Sequence, residues 1–125
     1  MKKINNFIIG RIKSVKYAAR GAWFLLTNEH SIIAQTIIGV LVTILGLLMD
    51  LNSTEWLFQI LAIAIVIISE SLNTAIEEIA NFIHPNYHEK IGLIKDIAAG
   101  ASFFAALFSI CIGLIIYLPK FIELL

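Results

Sequence analysis

The sequence has little of what small secreted domains and nucleotide-binding domains usually depend on. It contains a single cysteine, Cys111, so no disulfide can form within the chain. Its 7 glycines are scattered, and no glycine-rich phosphate-binding loop is present. Charged residues make up only 14% of the chain. These shortages exclude a disulfide-stabilised domain and a kinase of the P-loop or protein-kinase type.

Apolar residues are abundant instead, at 59% of 125 residues, with a mean hydropathy of +0.90. Ile32–Met49 has few polar interruptions, Leu57–Ile68 has only Gln59, and Ile97–Leu118 carries no charge. About 20 such residues cross a hydrocarbon core of about 30 Å. We therefore expect an all-α membrane protein in one domain, 1–125, with transmembrane helices over residues 30–50, 55–84 and 96–119.

The basic residues are distributed asymmetrically around these segments. The loop between the first two segments has no Lys or Arg, whereas the next loop has Lys90 and Lys95. Six basic residues precede the first segment: Lys2, Lys3, Arg11, Lys13, Lys16 and Arg20. The positive-inside rule then places the N-terminus and the 84–96 loop in the cytoplasm and the C-terminus outside. The first long apolar run starts only at Ile32, which is not typical of a cleavable signal peptide.

Residues 1–28 have the pattern of an amphipathic helix. Lys13, Lys16 and Arg20 form one stripe, Ile, Val and Ala side chains occupy the opposite arc, and Trp23 lies near the end of the helix. This pattern predicts an interfacial helix that lies on the membrane and binds anionic lipid. The alternative is an amphipathic helix packed against the protein's own membrane spans.

Local signals predict where helices begin, end and pack. Asn28 is a candidate cap for the first span, and Glu29 in a first turn would favour the positive end of the helix dipole. Ser or Thr followed by Glu in the 50–55 turn predicts a cap for the second span. Pro85 and Pro119 are expected to end helices. The small residues of Ala98–Ser102 predict close helix packing, extended by oligomerisation.

Polar side chains interrupt the second span along one face. On a helical wheel, Glu70, Asn73, Glu77 and Asn81 form a narrow stripe roughly 16 Å long, and Glu78 lies about 80° away. A charge within a membrane span costs at least about 2.5–3.5 kcal/mol on insertion scales. The stripe therefore predicts a polar partner embedded in the protein.

Residue chemistry leaves three explanations of this stripe open. A divalent cation, best Mg²⁺, could be held by carboxylate and amide oxygens. A buried glutamate could relay protons. The residues could also be hydrated at headgroup depth. The adjoining loop contributes Asn, His and Lys donors suited to phosphate, and His84 and His88 are a poor metal pair because Pro85 interrupts the helix.

The motifs of the chain resemble the prokaryotic diacylglycerol kinase family, which includes the undecaprenol kinases. The resemblance rests on the stretch Glu70–Glu77, then Tyr87-His88-Glu89, then Lys95-Asp96. It extends over essentially the whole chain. Further matching residues are Ala19-Arg20-Gly21, Trp23, Asn28-Glu29 and the closing stretch 112–120.

The resemblance implies a homotrimeric membrane lipid kinase in the bacterial plasma membrane, with active sites shared between protomers. It implies transfer of the γ-phosphoryl group of ATP to the hydroxyl of diacylglycerol or undecaprenol at the cytoplasmic face. Glu70 would then be the general base and Asn73 would orient it or the transferring group. Glu29 and Glu77 would hold Mg²⁺ against the ATP phosphates.

The resemblance also assigns the nucleotide contacts. Lys95 and Asp96 would bind ATP, together with Glu29 and Glu77. The assisting residues would be Arg11, Tyr17, Asn86, Tyr87 and His88. Many family members carry Asp, often followed by Arg, where this chain has Asn81 and Phe82.

Two functions outside the kinase class compete with this interpretation. A small proton- or cation-conducting oligomer would use the same acidic stripe, and a non-catalytic membrane scaffold would not need the stripe at all. A conductor needs no nucleotide contacts on one side of the membrane, whereas a kinase must have them. The Lys95-Asp96 loop and the basic N-terminal helix therefore favour the kinase.

Overall fold

A computed structural model describes all of residues 1–125 as four helices. They are α1 (Lys2–Asn28), α2 (His30–Leu48), α3 (Ser53–Ile83) and α4 (Glu89–Glu123). Glu29 alone separates α1 from α2, a short turn over 49–52 joins α2 to α3, and the loop 84–88 joins α3 to α4. The all-helical fold predicted from the sequence is confirmed.

Three of the helices are long and apolar enough to cross a membrane. The mean hydropathies of their apolar windows are 2.3 for α2, 1.8 for α3 and 2.4 for α4. Even α2, the shortest at 19 residues, reaches about 28 Å at about 1.5 Å per residue. Helix α4 begins at Glu89, seven residues before the predicted start at Asp96, because the side chain of His88 accepts a hydrogen bond from the Lys90 amide at 3.1 Å and caps the helix there.

Helix α1 has no buried residue. Its apolar side chains, among them Ile8, Ile12 and Trp23, are exposed, and so is the basic stripe of Lys13 and Lys16. Its main packing within the chain is against α2. The helix predicted over 1–28 is therefore present, and the chain itself covers neither of its faces.

The helix starts differ in detail from the local signals. Asn28 does not cap α2. It is the last residue of α1, and Nδ2 of its side chain donates to the Phe24 carbonyl at 2.9 Å. The cap of α3 is Asn52 rather than the Ser or Thr after it. Its side chain accepts from the Glu55 amide at 3.0 Å, and the Glu55 carboxylate accepts from the Asn52 amide at 2.9 Å.

The two prolines have different outcomes. Helix α3 ends at Ile83, just before Pro85, as predicted. Pro119 lies inside α4, which continues to Glu123, so the predicted end at that residue is wrong. Proline removes one backbone hydrogen bond and crowds the carbonyl four residues back, but its fixed φ is helical, and here one further turn follows it.

Small residues allow the helices to approach closely. Ala98 and Ser102, four positions apart on α4, are buried, whereas Ala99 and Ala101 are exposed. Only one face of the predicted small-residue stretch therefore packs, and the antiparallel α3–α4 pair is the most extensive helix contact in the chain.

Helix α2 approaches α3 through two glycines. A Cβ at Gly39 would lie 3.2 Å from Cγ2 of Ile63, and one at Gly46 would lie 3.0 Å from the Trp56 ring and 3.1 Å from Nε2 of Gln59. In each contact the α2 residue and the α3 residue are separated from the 49–52 turn by a similar number of positions, so α2 and α3 run antiparallel. The α1–α2 junction therefore lies at the same end of the bundle as the 84–88 loop. We call this end the loop end and the other, with the 49–52 turn, the turn end.

Polar bonds tie the three long helices together in the half of the bundle nearer the turn end. The Tyr117 hydroxyl bonds to the Gln59 side chain and to the Val42 carbonyl, the latter at 3.2 Å. Nε2 of Gln59 donates to the same Val42 carbonyl at 3.3 Å. Lys120 and Glu55 form an ion pair at 3.2 Å. This network fixes α2, α3 and α4 relative to one another.

Candidate active site at the loop end

The polar stripe of α3 lies in the half of the bundle nearer the loop end. Glu70, Asn73 and Glu77 are half-buried, whereas Glu78 and Asn81 are exposed. Nδ2 of Asn73 donates to Oε1 of Glu77 at 3.3 Å. A helix with three half-buried polar groups on one face, two of them bonded to each other, has the properties expected of a site, not of a span that simply ends in water.

Asn73 has an oxygen without a partner. Its Oδ1 is buried and accepts no hydrogen bond, although its Nδ2 is bonded to Glu77. A buried acceptor left unpaired costs about 1–3 kcal/mol, so a ligand or substrate group that bonded to this oxygen would remove that cost. Amide and carboxylate oxygens are the ligand types that Mg²⁺ accepts, so Asn73 and Glu77 fit that ion in chemical type.

Glu29 is placed by the single-residue junction between α1 and α2. It is the N-cap residue of α2, with φ −94° and ψ 110°, but its side chain makes no capping hydrogen bond. Gly39 on α2 faces Ile63 on α3, and the two helices are antiparallel. Glu29 lies ten residues before Gly39, and Asn73 lies ten residues after Ile63, so both are displaced from this contact towards the loop end. Both steps are about 15 Å. The Glu29 carboxylate is therefore free of a capping role and lies at a depth similar to that of Asn73.

The chain does not assemble a complete metal centre from acidic and histidine side chains. No group of three or more His, Cys, Asp or Glu is close enough to hold an ion. His84 and His88 meet edge-on at 5.3 Å, but Nδ1 of His84 bonds to the Asn86 carbonyl at 2.7 Å and Nδ1 of His88 is used by the cap of α4. One or two carboxylates per ion suit Mg²⁺ that arrives with a phosphate ligand.

The 84–88 loop and the first turns of α4 enclose a cavity of about 270 Å³. Four of the residues assigned to nucleotide binding line it: Asn86, Tyr87, His88 and Lys95. Its other lining residues are His84, Pro85, Ile91 and Gly92. The fold thus brings the aromatic, amide and cationic groups of the loop to one place.

Lys95 makes a contact that the sequence pattern did not predict. Its Nζ donates to Oδ1 of Asn81 at 2.5 Å, across the α3–α4 pair. The two residues are 14 positions apart, on different helices, so neither helical periodicity nor a motif signals the contact. Asn81, the last residue of the α3 stripe, is connected in this way to the loop cavity.

Three assigned residues, Arg11, Tyr17 and Asp96, lie neither in the α3 stripe nor in the lining of the loop cavity. Arg11 and Tyr17 are exposed on α1, where Arg11 lies over the Phe7 ring at 5.1 Å and Arg20 lies 6.0 Å from the Tyr17 ring. Asp96 is exposed on α4. No hydrogen bond or ion pair connects any of the three to Glu70, Asn73 or Glu77.

A larger cavity, about 500 Å³, lies elsewhere, between α2, α3 and α4. Its walls are mostly apolar, and none of the carboxylates lines it. Its polar lining residues are Gln35, Gln59, Ser109 and Tyr117. Phosphate chemistry needs cationic and metal-binding groups, so the loop end rather than this cavity is the candidate active site.

Comparison with known proteins agrees with this chemistry. The family model for prokaryotic diacylglycerol kinase matches residues 16–117. An undecaprenol kinase from Bacillus subtilis (strain 168) is 37% identical over 108 residues, covering 86% of this chain and 88% of that protein. A diacylglycerol kinase from Synechocystis is 30% identical over 113 residues, 90% of this chain and 65% of that protein. A diacylglycerol kinase from Escherichia coli (strain K12) is 26% identical over 99 residues, 79% of this chain and 81% of that protein. The chain therefore belongs to the prokaryotic diacylglycerol kinase family, whose members are lipid kinases.

Proposed function

We propose that this lipid kinase transfers the γ-phosphoryl group of ATP to the hydroxyl of diacylglycerol or undecaprenol at the cytoplasmic face of the bacterial plasma membrane. The observation that carries the proposal is the stripe of Glu70, Asn73 and Glu77, which leads along α3 to a loop cavity with Lys95 at its edge. Family membership and the kinase relatives support the reaction class.

Glu70 is the general base of the proposed reaction. It takes the proton of the lipid hydroxyl while the lipid oxygen forms a bond to the γ-phosphorus. The bond from that phosphorus to the β–γ bridging oxygen breaks, and ADP leaves with the bonding electrons. Such transfers depend mainly on positioning and charge neutralisation. A half-buried carboxylate on a rigid helix meets the positioning requirement.

Glu77 and Glu29 hold Mg²⁺ in this proposal, and Asn73 orients Glu70 or the transferring group. The bound ion would neutralise charge on the phosphate oxygens. The unpaired Asn73 oxygen and the non-capping Glu29 carboxylate support these assignments. The Asn73–Glu77 hydrogen bond keeps the two side chains of α3 in a fixed relation.

Lys95 and Asp96 bind the nucleotide, with Asn86, Tyr87 and His88 around the loop cavity. The assisting residues of α1 are Arg11 and Tyr17, which the single chain leaves apart from the cluster. A homotrimer with sites shared between protomers would bring such residues from a neighbouring copy. The largely exposed apolar surface of α2, α3 and α4 supports association within a membrane.

In the membrane, α2, α3 and α4 span the bilayer with the N-terminus and the 84–88 loop in the cytoplasm and the C-terminus outside. The single domain, 1–125, then has its phosphate chemistry on the side where ATP is available. Helix α1 lies on the surface, with its basic stripe towards anionic headgroups and its apolar residues in the interface.

The test is phosphoryl transfer from γ-labelled ATP to a lipid alcohol. Purified protein in mixed micelles is incubated with diacylglycerol or undecaprenol, and label is followed into the organic phase. The matched control is Glu70→Gln prepared in the same way. We expect label in at least one lipid, dependent on Mg²⁺ and lost in the variant. Absence of label from both lipids would overturn the proposal, and unequal rates would identify the preferred substrate.

The alternative of a proton or cation conductor gains no support, because the named relatives are all kinases. It predicts ion flux in proteoliposomes without nucleotide and no labelled lipid. The same preparations therefore separate the two functions.

A further inference from the structure

Asn81 and Lys95 form a connection between the acidic stripe and the loop cavity. Asn81 lies one helical turn beyond Glu77 on the same face of α3. Its Oδ1 accepts from Nζ of Lys95 at 2.5 Å, and Lys95 lines the cavity of the 84–88 loop. One side chain of α3 therefore fixes where the lysine of α4 places its ammonium group.

The partner of Lys95 is neutral. The only ion pair in the chain joins Lys120 to Glu55, at the other end of the bundle. Lys95 thus has no carboxylate within ion-pair distance, although Glu77 is only one turn from Asn81. An ammonium group has three donors, and the bond to Asn81 uses one of them. Its positive charge and its remaining donors stay available to an anion.

We propose that Asn81 is a positioning residue for nucleotide binding, which directs Lys95 to the ATP phosphates without neutralising its charge. The inference rests on the proposed function. Lysine has a long side chain with high rotamer entropy, and it meets phosphate as a point charge. The hydrogen bond to the neutral Asn81 side chain removes part of that rotamer freedom before ATP binds.

Steady-state kinetics with varied ATP test this role in the full-length protein. Asn81→Ala should raise the KM for ATP about 3- to 10-fold, the range for losing an exposed hydrogen bond to a charged group, with kcat nearly unchanged. Asn81→Asp, the residue that many family members carry here, keeps an acceptor for Lys95 and should raise the KM for ATP less than Asn81→Ala does, with a salt dependence because the new partner is charged. Asn81→Gln, which keeps the amide, should restore part of the loss.

The matched control is Glu78→Gln, an exposed neighbour on α3 outside the stripe. It should leave the KM values for ATP and lipid unchanged. The KM for lipid should also stay unchanged in the Asn81 variants. A role in helix packing alone would alter stability in Asn81→Ala without a selective change in the KM for ATP.

A double-mutant cycle decides whether Asn81 acts through Lys95. In a Lys95→Ala background, Asn81→Ala should have no further effect on ATP binding, measured with a fluorescent ATP analogue. An equal effect in both backgrounds, or a wild-type KM for ATP in Asn81→Ala, would overturn the inference. If Asn81→Ala does not fold, Asn81→Leu, which is close in size and also lacks the acceptor, gives the same comparison. Failure of the proposed function is distinguishable, because then the wild-type protein itself would transfer no label to lipid.

Discussion

The two halves of the helical bundle treat polar groups in opposite ways. In the half nearer the turn end, Gln59 and Tyr117 are buried but bonded to each other and to the Val42 carbonyl. In the half nearer the loop end, Asn73 keeps an unpaired buried oxygen and Lys95 has only a neutral partner. In the first arrangement the buried polar groups are paired within the protein. In the second, the Asn73 oxygen and the Lys95 charge remain available to a ligand. Changes in the two halves should therefore affect different properties.

The largest expected effect is that of Glu70→Gln. The substitution keeps the shape of the side chain and removes the proposed base, so kcat for lipid phosphorylation should fall at least about 100-fold, the lower range for general acid–base catalysis. Thermal stability in detergent should not fall, because no hydrogen bond to Glu70 is present. Glu78→Gln is the matched control. Activity near wild type in Glu70→Gln would remove Glu70 from the base role.

Lys95→Ala should have the next largest effect, on nucleotide binding. Loss of a cation facing the phosphates should raise the KM for ATP about 10-fold or more, in keeping with the strength of charge-assisted hydrogen bonds, and leave the KM for lipid nearly unchanged. Kinetics with each substrate varied in turn measure both values. Equal changes in the two would show that Lys95 is not specific to the nucleotide.

Tyr117→Phe should affect stability in place of catalysis. It removes the hydroxyl that bonds to Gln59 and to the Val42 carbonyl, so the free energy of unfolding should fall by about 1–3 kcal/mol, the cost of leaving a buried polar group unpaired. Denaturant unfolding in micelles measures it. The kcat should stay close to wild type; a large loss of kcat at unchanged stability would contradict the separation of the two halves.

The smallest expected effect is that of Glu55→Gln. It removes the ion pair with Lys120 but keeps a side chain that can complete the capping box with Asn52. The two side chains are still 22% and 25% exposed, and ion pairs open to solvent contribute little to stability. We therefore expect no resolvable change in melting temperature or activity. Lys120→Ala serves as the reciprocal variant, and a clear loss in both would show that the pair matters more than its exposure suggests.

The sequence predicted the features that depend on one helix at a time. Apolar blocks and helical periodicity located all four helices, and the wheel placed Glu70, Asn73 and Glu77 on one face because that alignment is a property of α3 alone. Contacts between helices could not be predicted in this way. Asn81 meets Lys95, and Gln59 meets Tyr117, only because of how α3 and α4 are packed.

Rules for helix ends and caps that use only the local sequence were also insufficient where another part of the chain determined the structure. Pro119 was expected to end a helix, but α4 continues through it to Glu123, because the φ of proline is compatible with a helix. Asn28 was expected to cap α2, but α1 extends through it and uses its side chain. Whether Arg11 and Tyr17 reach the nucleotide depends on other copies of the chain, which periodicity within one sequence does not describe.

The junction between α1 and α2 has a mechanical consequence. Glu29 is the only residue between a helix of 27 residues and one of 19, so one pair of backbone torsions sets the angle between them. Helix α1 is about 40 Å long, at about 1.5 Å per residue. The residue about which it would tilt, Glu29, also carries a metal-binding carboxylate in the proposed reaction. A change in the tilt of α1 would therefore also change the position of the Glu29 carboxylate.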